Sequence, residues 1–278
     1  MTDLGASPGA VLLVDRVAGF WFACLNRADR RNALTDEVVA ALGSVLDQVT
    51  NDGDARALVI SGAGGHFCAG ADFGSVERLL ASVAGAGVDP IAVYNRQFGA
   101  LLERLAALPV PTIAVVTGSA VGGGCGLAAT CDRVLAAEDA VLATPEVTLG
   151  VAPAQIAPFV VRRVGTARGR WLMLAAPRLT AAAARETGLV DVVAPADGLR
   201  PALAAELRHL AAAEPSALRA TKRIIGLAAE PLATMLDGAA LEFAALLRQG
   251  AAREGIAAAR QRRLPAWQTA VPEIPAFL

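Results

Sequence analysis

The sequence predicts an α/β core followed by an all-helical C-terminal region. Three observations predict it. Short apolar runs with strand character alternate with amphipathic helical stretches over the first two thirds of the chain. Two of those runs, Ala57–Ile60 and Thr112–Val116, pass directly into glycine-rich segments. From Leu199 onward helical spacing is nearly continuous, which divides the chain into a core over residues 1–198 and a helical region over 199–278. At 278 residues and 55% hydrophobic content the chain can bury a sizeable core, and with 4% aromatic residues that core is built from Ala, Val, Leu and Ile.

Each element has a local reason. Val11 to Leu25 holds two apolar runs broken by Asp15-Arg16 and Gly19, which reads as a β-hairpin. Asn32 to Val49 carries apolar residues at helical spacing, with Thr35 as N-cap and Asp36-Glu37 in the first turn. The strand Ala57–Ile60 follows. Ser82 to Pro90 is rich in Gly and Ala and reads as a surface loop, and Ile91 to Leu108 as an amphipathic helix ended by Pro109 and Pro111. After the strand Thr112–Val116, Gly123 to Cys131 reads as a buried helix, and Arg133–Ala137 and Ala140–Thr144 as short strands. Helical patterns then dominate from Ala154, apart from Leu189–Val193, which suits an edge strand.

Composition narrows the function classes. A formal net charge of −1 gives no basis for a nucleic-acid partner or for an acidic membrane surface. Cys24, Cys68, Cys125 and Cys131 form no C-x-x-C pair, and His66 and His209 are far apart, so no metal-ligand spacing is present. No run has the length of a membrane span, and Asp3 replaces the basic start of a signal peptide. Reduced thiols and a cytoplasmic location are therefore expected.

The two glycine segments carry the chemistry. The first runs from Ser61 through Gly62, Gly64, Gly65 and Gly70 to Asp72; the second from Gly118 through Gly122-Gly123-Gly124 to Leu127. Small residues let a ligand approach the backbone, and N–H groups at a strand-to-helix turn are free to donate. Two such loops can aim two N–H groups at one oxygen; read singly, each is also a tight turn. A serine nucleophile fits poorly. Gly118-Ser119-Ala120-Val121-Gly122 misplaces the serine of G-x-S-x-G, and only His66 or His209 could serve as its base. Cys125 meets the same difficulty. No G-x-G-x-x-G follows the first strand, which removes the dinucleotide reading. Glu146, stiffened by Pro145 and followed by Val147, Leu149 and Val151, is the best acid–base candidate. Apolar neighbours raise a carboxyl pKa toward neutrality, although Pro145-Glu146 also suits the start of a helix.

Taken together, these segments resemble the enoyl-CoA hydratase/isomerase (crotonase) superfamily. Leu25–Leu34 is similar to its N-terminal CoA-contacting segment, Phe67–Asp72 to its first oxyanion loop and Gly122–Cys125 to its second. Thr144-Pro145-Glu146 with Leu149-Gly150-Val151 resembles its catalytic segment, and Glu254–Ala258 with Arg262-Arg263 its ending. The resemblance implies a spiral of ββα turns with a helical C-terminal part used for trimerisation, the trimers often pairing into hexamers. It implies an acyl-CoA thioester as ligand and no separate cofactor, coenzyme A being part of the substrate. It implies that the N–H groups of Ala71 and Gly123 hold the thioester oxygen and that Glu146 moves protons. Arg30, Arg31, Ala33, Ala69, Gly70, Asp72, Phe73 and Gly122 would then lie near the substrate, with Arg262 toward a CoA phosphate.

One position departs from the family pattern. Short-chain hydratases carry a second glutamate two residues after the glycine triplet, where this chain has Gly126. A single glutamate is typical of Δ3-Δ2 enoyl-CoA isomerases. However, Gly126-Leu127 together with Gly150–Val160 also resembles hydratases of branched, carboxylated glutaconyl-type thioesters. Gly126 is expected to leave extra volume without negative charge, favouring a branched or carboxylated acyl chain. Hydration of such a 2-enoyl-CoA is the leading expectation. Isomerisation is the rival, and decarboxylation or non-catalytic acyl-CoA binding stands further back.

Overall fold

The computed structural model describes residues 9–81, 87–213, 215–226, 237, 240–241, 243–245, 247–248 and 250–265. Strands β1 (Leu12–Val17) and β2 (Phe20–Leu25) form the predicted hairpin, turned by Ala18 and Gly19 at positive φ. Helix α1 (Asp36–Asn51) starts where Thr35 accepts a hydrogen bond from the Val38 N–H. The stretch 32–35 before it is not helical, because Asn32 adopts φ 57°.

From there the chain winds as a spiral. Its turns add strands to a large sheet and strands or a single bridge to a small one, with helices outside. The large-sheet strands are β3 (Ala57–Gly62), β4 (Thr112–Val116), β6 (Arg133–Ala137) and β9 (Val192–Ala194). They extend β1-β2 into a six-stranded sheet of order β1-β2-β3-β4-β6-β9, parallel from β2 onward. The small sheet has the order β5 (Ser119–Val121), β7 (Val141–Ala143), β8 (Leu179–Thr180), and Cys68 bridges to Ala120 on its open side. Parallel pairing needs crossovers, and the helices supply them. These are α2 (Phe73–Leu80) and α3 (Pro90–Ala106) after β3, α4 (Gly123–Thr130) after β5, and α5 (Ala157–Val164) with α6 (Thr166–Ala175) after β7. Helix α7 (Ala181–Thr187) precedes β9.

The main core lies between the large sheet and these helices. β3 and β4 are buried on both faces, as expected of central parallel strands. Leu199 and the partly buried Leu203, Leu207 and Leu210 bring α8 (Leu199–Ala212) onto the same core. α9 (Pro215–Gly226) follows, and a last described helix spans Gly250–Arg260. The latter belongs to a second cluster, with Ala252 and Ile256 against Val76, Ile91 and Val151. Among the described residues no helix is long and apolar enough to cross a membrane.

The structure adds three elements that periodicity does not reveal. Helix α2 is only eight residues long, and β5 and β8 have three and two residues. The predicted edge strand is shifted to Val192–Ala194, because Asp191 is used otherwise. Its carboxylate accepts the Val134 N–H (2.7 Å) and pairs with the Arg163 guanidinium, whose remaining N–H groups reach the carbonyls of Leu189 (2.9 Å) and Cys131 (2.7 Å). Of the predicted loop Ser82–Pro90, residues 82–86 lie outside the described residues; Asp89 caps α3 through the Ile91 N–H.

Arg163, with a side chain only 10% exposed, thus fastens α5 to the edge of the sheet. Arg163→Met removes all three contacts and leaves the part-buried Asp191 carboxylate with only the Val134 N–H and a long contact to Arg133 (3.9 Å). A loss of about 3–5 kcal/mol is expected, read as a fall in the urea midpoint at unchanged slope.

Candidate active site

Both glycine loops are held in place before any ligand is considered. Asn32, almost wholly buried, accepts the Arg27 N–H (2.8 Å) and donates to the carbonyls of Ala63 (2.9 Å) and His66 (2.7 Å). His66 Nδ1 and Ser119 Oγ share a hydrogen bond of 3.0 Å that ties the first loop to the second. The serine–histidine pair therefore exists, but neither residue lines the cavity described below.

Next to this clip the first loop runs between two neighbours. The Leu34 N–H bonds the Gly70 carbonyl (2.7 Å) and the Asp72 N–H bonds the Leu34 carbonyl (2.9 Å). Successive backbone groups of an extended segment point to opposite sides, so the Ala71 N–H faces away from Leu34. No described group accepts it. On the other side lies the β5–α4 turn. Gly122 adopts φ 54°, ψ −121° and donates its N–H to the Ala143 carbonyl (2.8 Å), which leaves Gly123 as the first residue of α4 with its N–H unused. A Cβ on Gly70 would lie 2.7 Å from the Val121 carbonyl oxygen and 3.5 Å from the Gly123 nitrogen. Only glycine allows the two loops to meet this closely.

Glu146 opposes them. It follows β7, with Pro145 capping a single 3₁₀ turn Glu146–Leu149, so it is both the first residue of a short helix and a site group. A Cβ on Gly122 would lie 3.0 Å from Glu146 Oε1. The other oxygen, Oε2, is sealed from solvent and has no hydrogen-bond partner. Burial pushes the carboxyl pKa up to about 7, against a small lowering by its own backbone N–H.

A cavity of about 190 Å³ opens over this arrangement. Ala69, Gly70, Ala71, Phe73, Gly122, Gly123 and Glu146 all line it, so seven of the predicted residues come together. Its remaining wall was not foreseen. Tyr94, Asn95 and Phe98 project from α3, and Phe243, Leu247 and Ile256 come from the C-terminal segment. The chain's only tyrosine was one signal for this wall; the apolar residues gave none. The last helix sits directly on the turn after Glu146, because Gly255 has no Cβ to strike the Leu149 carbonyl, which would lie at 2.4 Å.

Six predicted residues do not line the cavity. Arg30 and Arg31 stand on the surface, and the Arg31 carbonyl accepts the Ala69 N–H (2.9 Å). Ala33 accepts a hydrogen bond from Arg27 Nη1 (2.6 Å) on its carbonyl. Asp72 caps α2 through the N–H groups of Gly74 (3.0 Å) and Ser75 (3.2 Å). Arg262 is exposed just beyond the last helix; it is Arg260 that stands over the Phe73 ring at the rim, 5.7 Å from its centroid. Gly126 gives a correction of substance. It leaves no spare volume, since a Cβ there would lie 2.2 Å from Ile156 Cγ2 and 2.6 Å from Ile156 Cβ. The isoleucine fills that place. The Cys68, Cys125 and Cys131 thiols are pushed by burial to about 12, which removes them as nucleophiles. Among the described residues no group of three His, Cys, Asp or Glu is placed to hold a metal.

The enoyl-CoA hydratase/isomerase family model matches residues 18–270, most of the chain. This chain belongs to the enoyl-CoA hydratase/isomerase family. Solved structures agree. AtuE of Pseudomonas aeruginosa is 40% identical, with a TM-score of 0.75 over 92% of this chain and 99% of its own. An enoyl-CoA hydratase/isomerase from Marinobacter aquaeolei is 37% identical, with a TM-score of 0.76 over 92% and 98%. The 2,3-dehydroadipyl-CoA hydratase of Escherichia coli K12 is 34% identical over 259 residues, 91% of this chain and 97% of the relative. The crotonase-type fold expected from the sequence is present in this chain.

The buried carboxyl makes stability depend on pH. Between the ordinary carboxyl value of 4.5 and about 7, the folded state holds a proton that the unfolded state has released. Stability therefore falls as pH rises through that window and levels off above it. Glu146→Gln should lose this fall and be the more stable protein at pH 8, a comparison that thermal melts across pH 4.5–8 will make.

Proposed function

We propose that the protein hydrates a 2-enoyl-CoA thioester, with Glu146 as its general acid and base. One observation carries the reading: a buried carboxyl with a pKa near 7 faces two unused backbone N–H groups across an apolar cavity. The thioester oxygen would accept hydrogen bonds from Ala71 and Gly123. As charge moves onto that oxygen in the enolate, both bonds strengthen, and each such donor is worth about 3–4 kcal/mol at the transition state. Ionised Glu146 takes a proton from water while the water oxygen bonds to C3; the resulting acid returns a proton to C2. A pKa close to working pH suits a group that must both take and give. No separate cofactor enters this scheme.

Of the two acyl features expected from sequence, we favour a second carboxyl over a branch. Ile156 fills the room that a branch would have used, whereas Asn95 and Gln155 place polar atoms in the lining. The name of the Escherichia coli relative, a hydratase of a dicarboxylic acyl-CoA, supports the same choice. A trimer or a pair of trimers is the assembly that family membership supports. Isomerisation stays as the second reading for a specific reason: of the carboxylates lining the cavity among the described residues, Asp36 is exposed and only Glu146 has an oxygen sealed from solvent, and a double-bond shift needs only one.

Incubation with straight, branched and carboxyl-terminated 2-enoyl- and 3-enoyl-CoA thioesters separates the readings. A mass gain of one water from a 2-enoyl substrate is expected, with a carboxyl-terminated chain preferred. An unchanged mass with a moved double bond means isomerisation instead. Glu146→Gln should lower kcat at least a thousandfold in either case, and surviving turnover removes Glu146 from its role. The wild-type kcat/KM should show an acid limb near pH 7.

A further inference from the structure

Gly122 and Gly126 lie one turn apart on the same face of α4, joined by the Gly126 N–H to the Gly122 carbonyl at 3.0 Å. The Glu146 carboxylate stands over the first glycine and the Ile156 side chain over the second. One turn of helix advances about 5.4 Å, so Ile156 forms the wall next to the carbons on which Glu146 acts. It lines the cavity, is only 3% exposed, and presents two branches on its β-carbon. Its position is fixed from behind by the absence of a side chain on Gly126 and from the chain direction by the start of α5 at Ala157.

We infer that Ile156 is a specificity-determining residue that sets the width of the acyl chain at C3, and that Gly126 acts on specificity only through it. The inference rests on the proposed thioester reading for the place of C3. It assigns opposite effects to two neighbouring substitutions. Shortening Ile156 widens the channel beside Glu146 without touching the carboxylate or either N–H donor. Adding a methyl group at 126 has nowhere to go except into Ile156, because α4 is buried on its other sides; it drives the isoleucine toward the ligand and narrows the channel.

The experiment measures kcat/KM for crotonyl-CoA and for its 3-methyl analogue in the wild type, Ile156→Val, Ile156→Ala and Gly126→Ala. The ratio of the two substrates is the readout, so partial loss of folded protein cancels. The wild type should favour the straight chain. The relative rate on the methylated substrate should rise in the order wild type, Val, Ala, by about tenfold or more at Ala, and Gly126→Ala should lower it. Adding Ile156→Val to Gly126→Ala should restore the wild-type ratio. A ratio that stays within twofold in Ile156→Ala overturns the inference, as does Gly126→Ala moving it in the same direction as Ile156→Ala. The same ratios are read without turnover from calorimetric binding of butyryl-CoA and isovaleryl-CoA. Thus an absence of hydration tests the proposed reaction, while the binding ratio still decides the role of Ile156. If neither saturated thioester binds, both readings fall together, whereas equal binding to wild type and Ile156→Ala defeats only the second.

Discussion

The site depends on one close approach, that of Gly70 to the turn between β5 and α4. A single methyl group on Gly70 would overlap the Val121 carbonyl, and the two loops would part. Their contact sets the separation of the Ala71 and Gly123 N–H groups, which come from consecutive turns of the spiral. Neither donor is positioned by a side chain. Both are fixed by backbone pairing on their far sides, through Leu34 for one and Ala143 for the other. In the proposed reaction such donors would need little reorganisation when charge develops, which is where electrostatic catalysis gains most. The buried Asn32 clip extends the same rigidity back into the first loop.

Glu146 is costly in the same economy of space. Its Oε2 has no partner, and its neighbours on the next segment are apolar. The last helix adds to the seal by resting on the Leu149 carbonyl at Gly255. A carboxyl held this way sits near neutrality because water, not a counter-charge, is missing. Distant parts of the fold, such as the Arg163 fastening of α5, matter to chemistry by keeping this packing intact.

Much of this was legible in the sequence, for identifiable reasons. β3 and β4 are apolar throughout because they are buried on both faces, and that signal is local. Thr35, Asp36 and Glu37 mark the start of α1 by their own chemistry. The glycine loops and Glu146 stood out because glycine runs and a lone acid among apolar residues are unusual. What was hidden is what depends on distance. β5 and β8 are too short for periodicity and exist only by pairing with β7. The capping role of Asp72 at the start of α2 was also out of reach. The α3 wall reads as an ordinary amphipathic face. Most telling is Gly126, read as empty space: sequence shows what a residue lacks, and only the structure shows that Ile156, thirty positions on, has taken its place.

That interlocking has a historical consequence. Positions 126 and 156 cannot vary independently, so the routes between this sequence and one with an acid at 126 are ordered. A large side chain arriving first at 126 meets a filled core, an overpacking cost of roughly 1–3 kcal/mol or more. A smaller residue arriving first at 156 opens a hole that costs about 0.5–1.5 kcal/mol for valine, which a protein with ordinary reserves survives. Descent in either direction is therefore expected to pass through a small residue at 156 paired with glycine at 126. The present pair is one end of such a route: with isoleucine closing the gap, an acid at 126 is not reached in a single step.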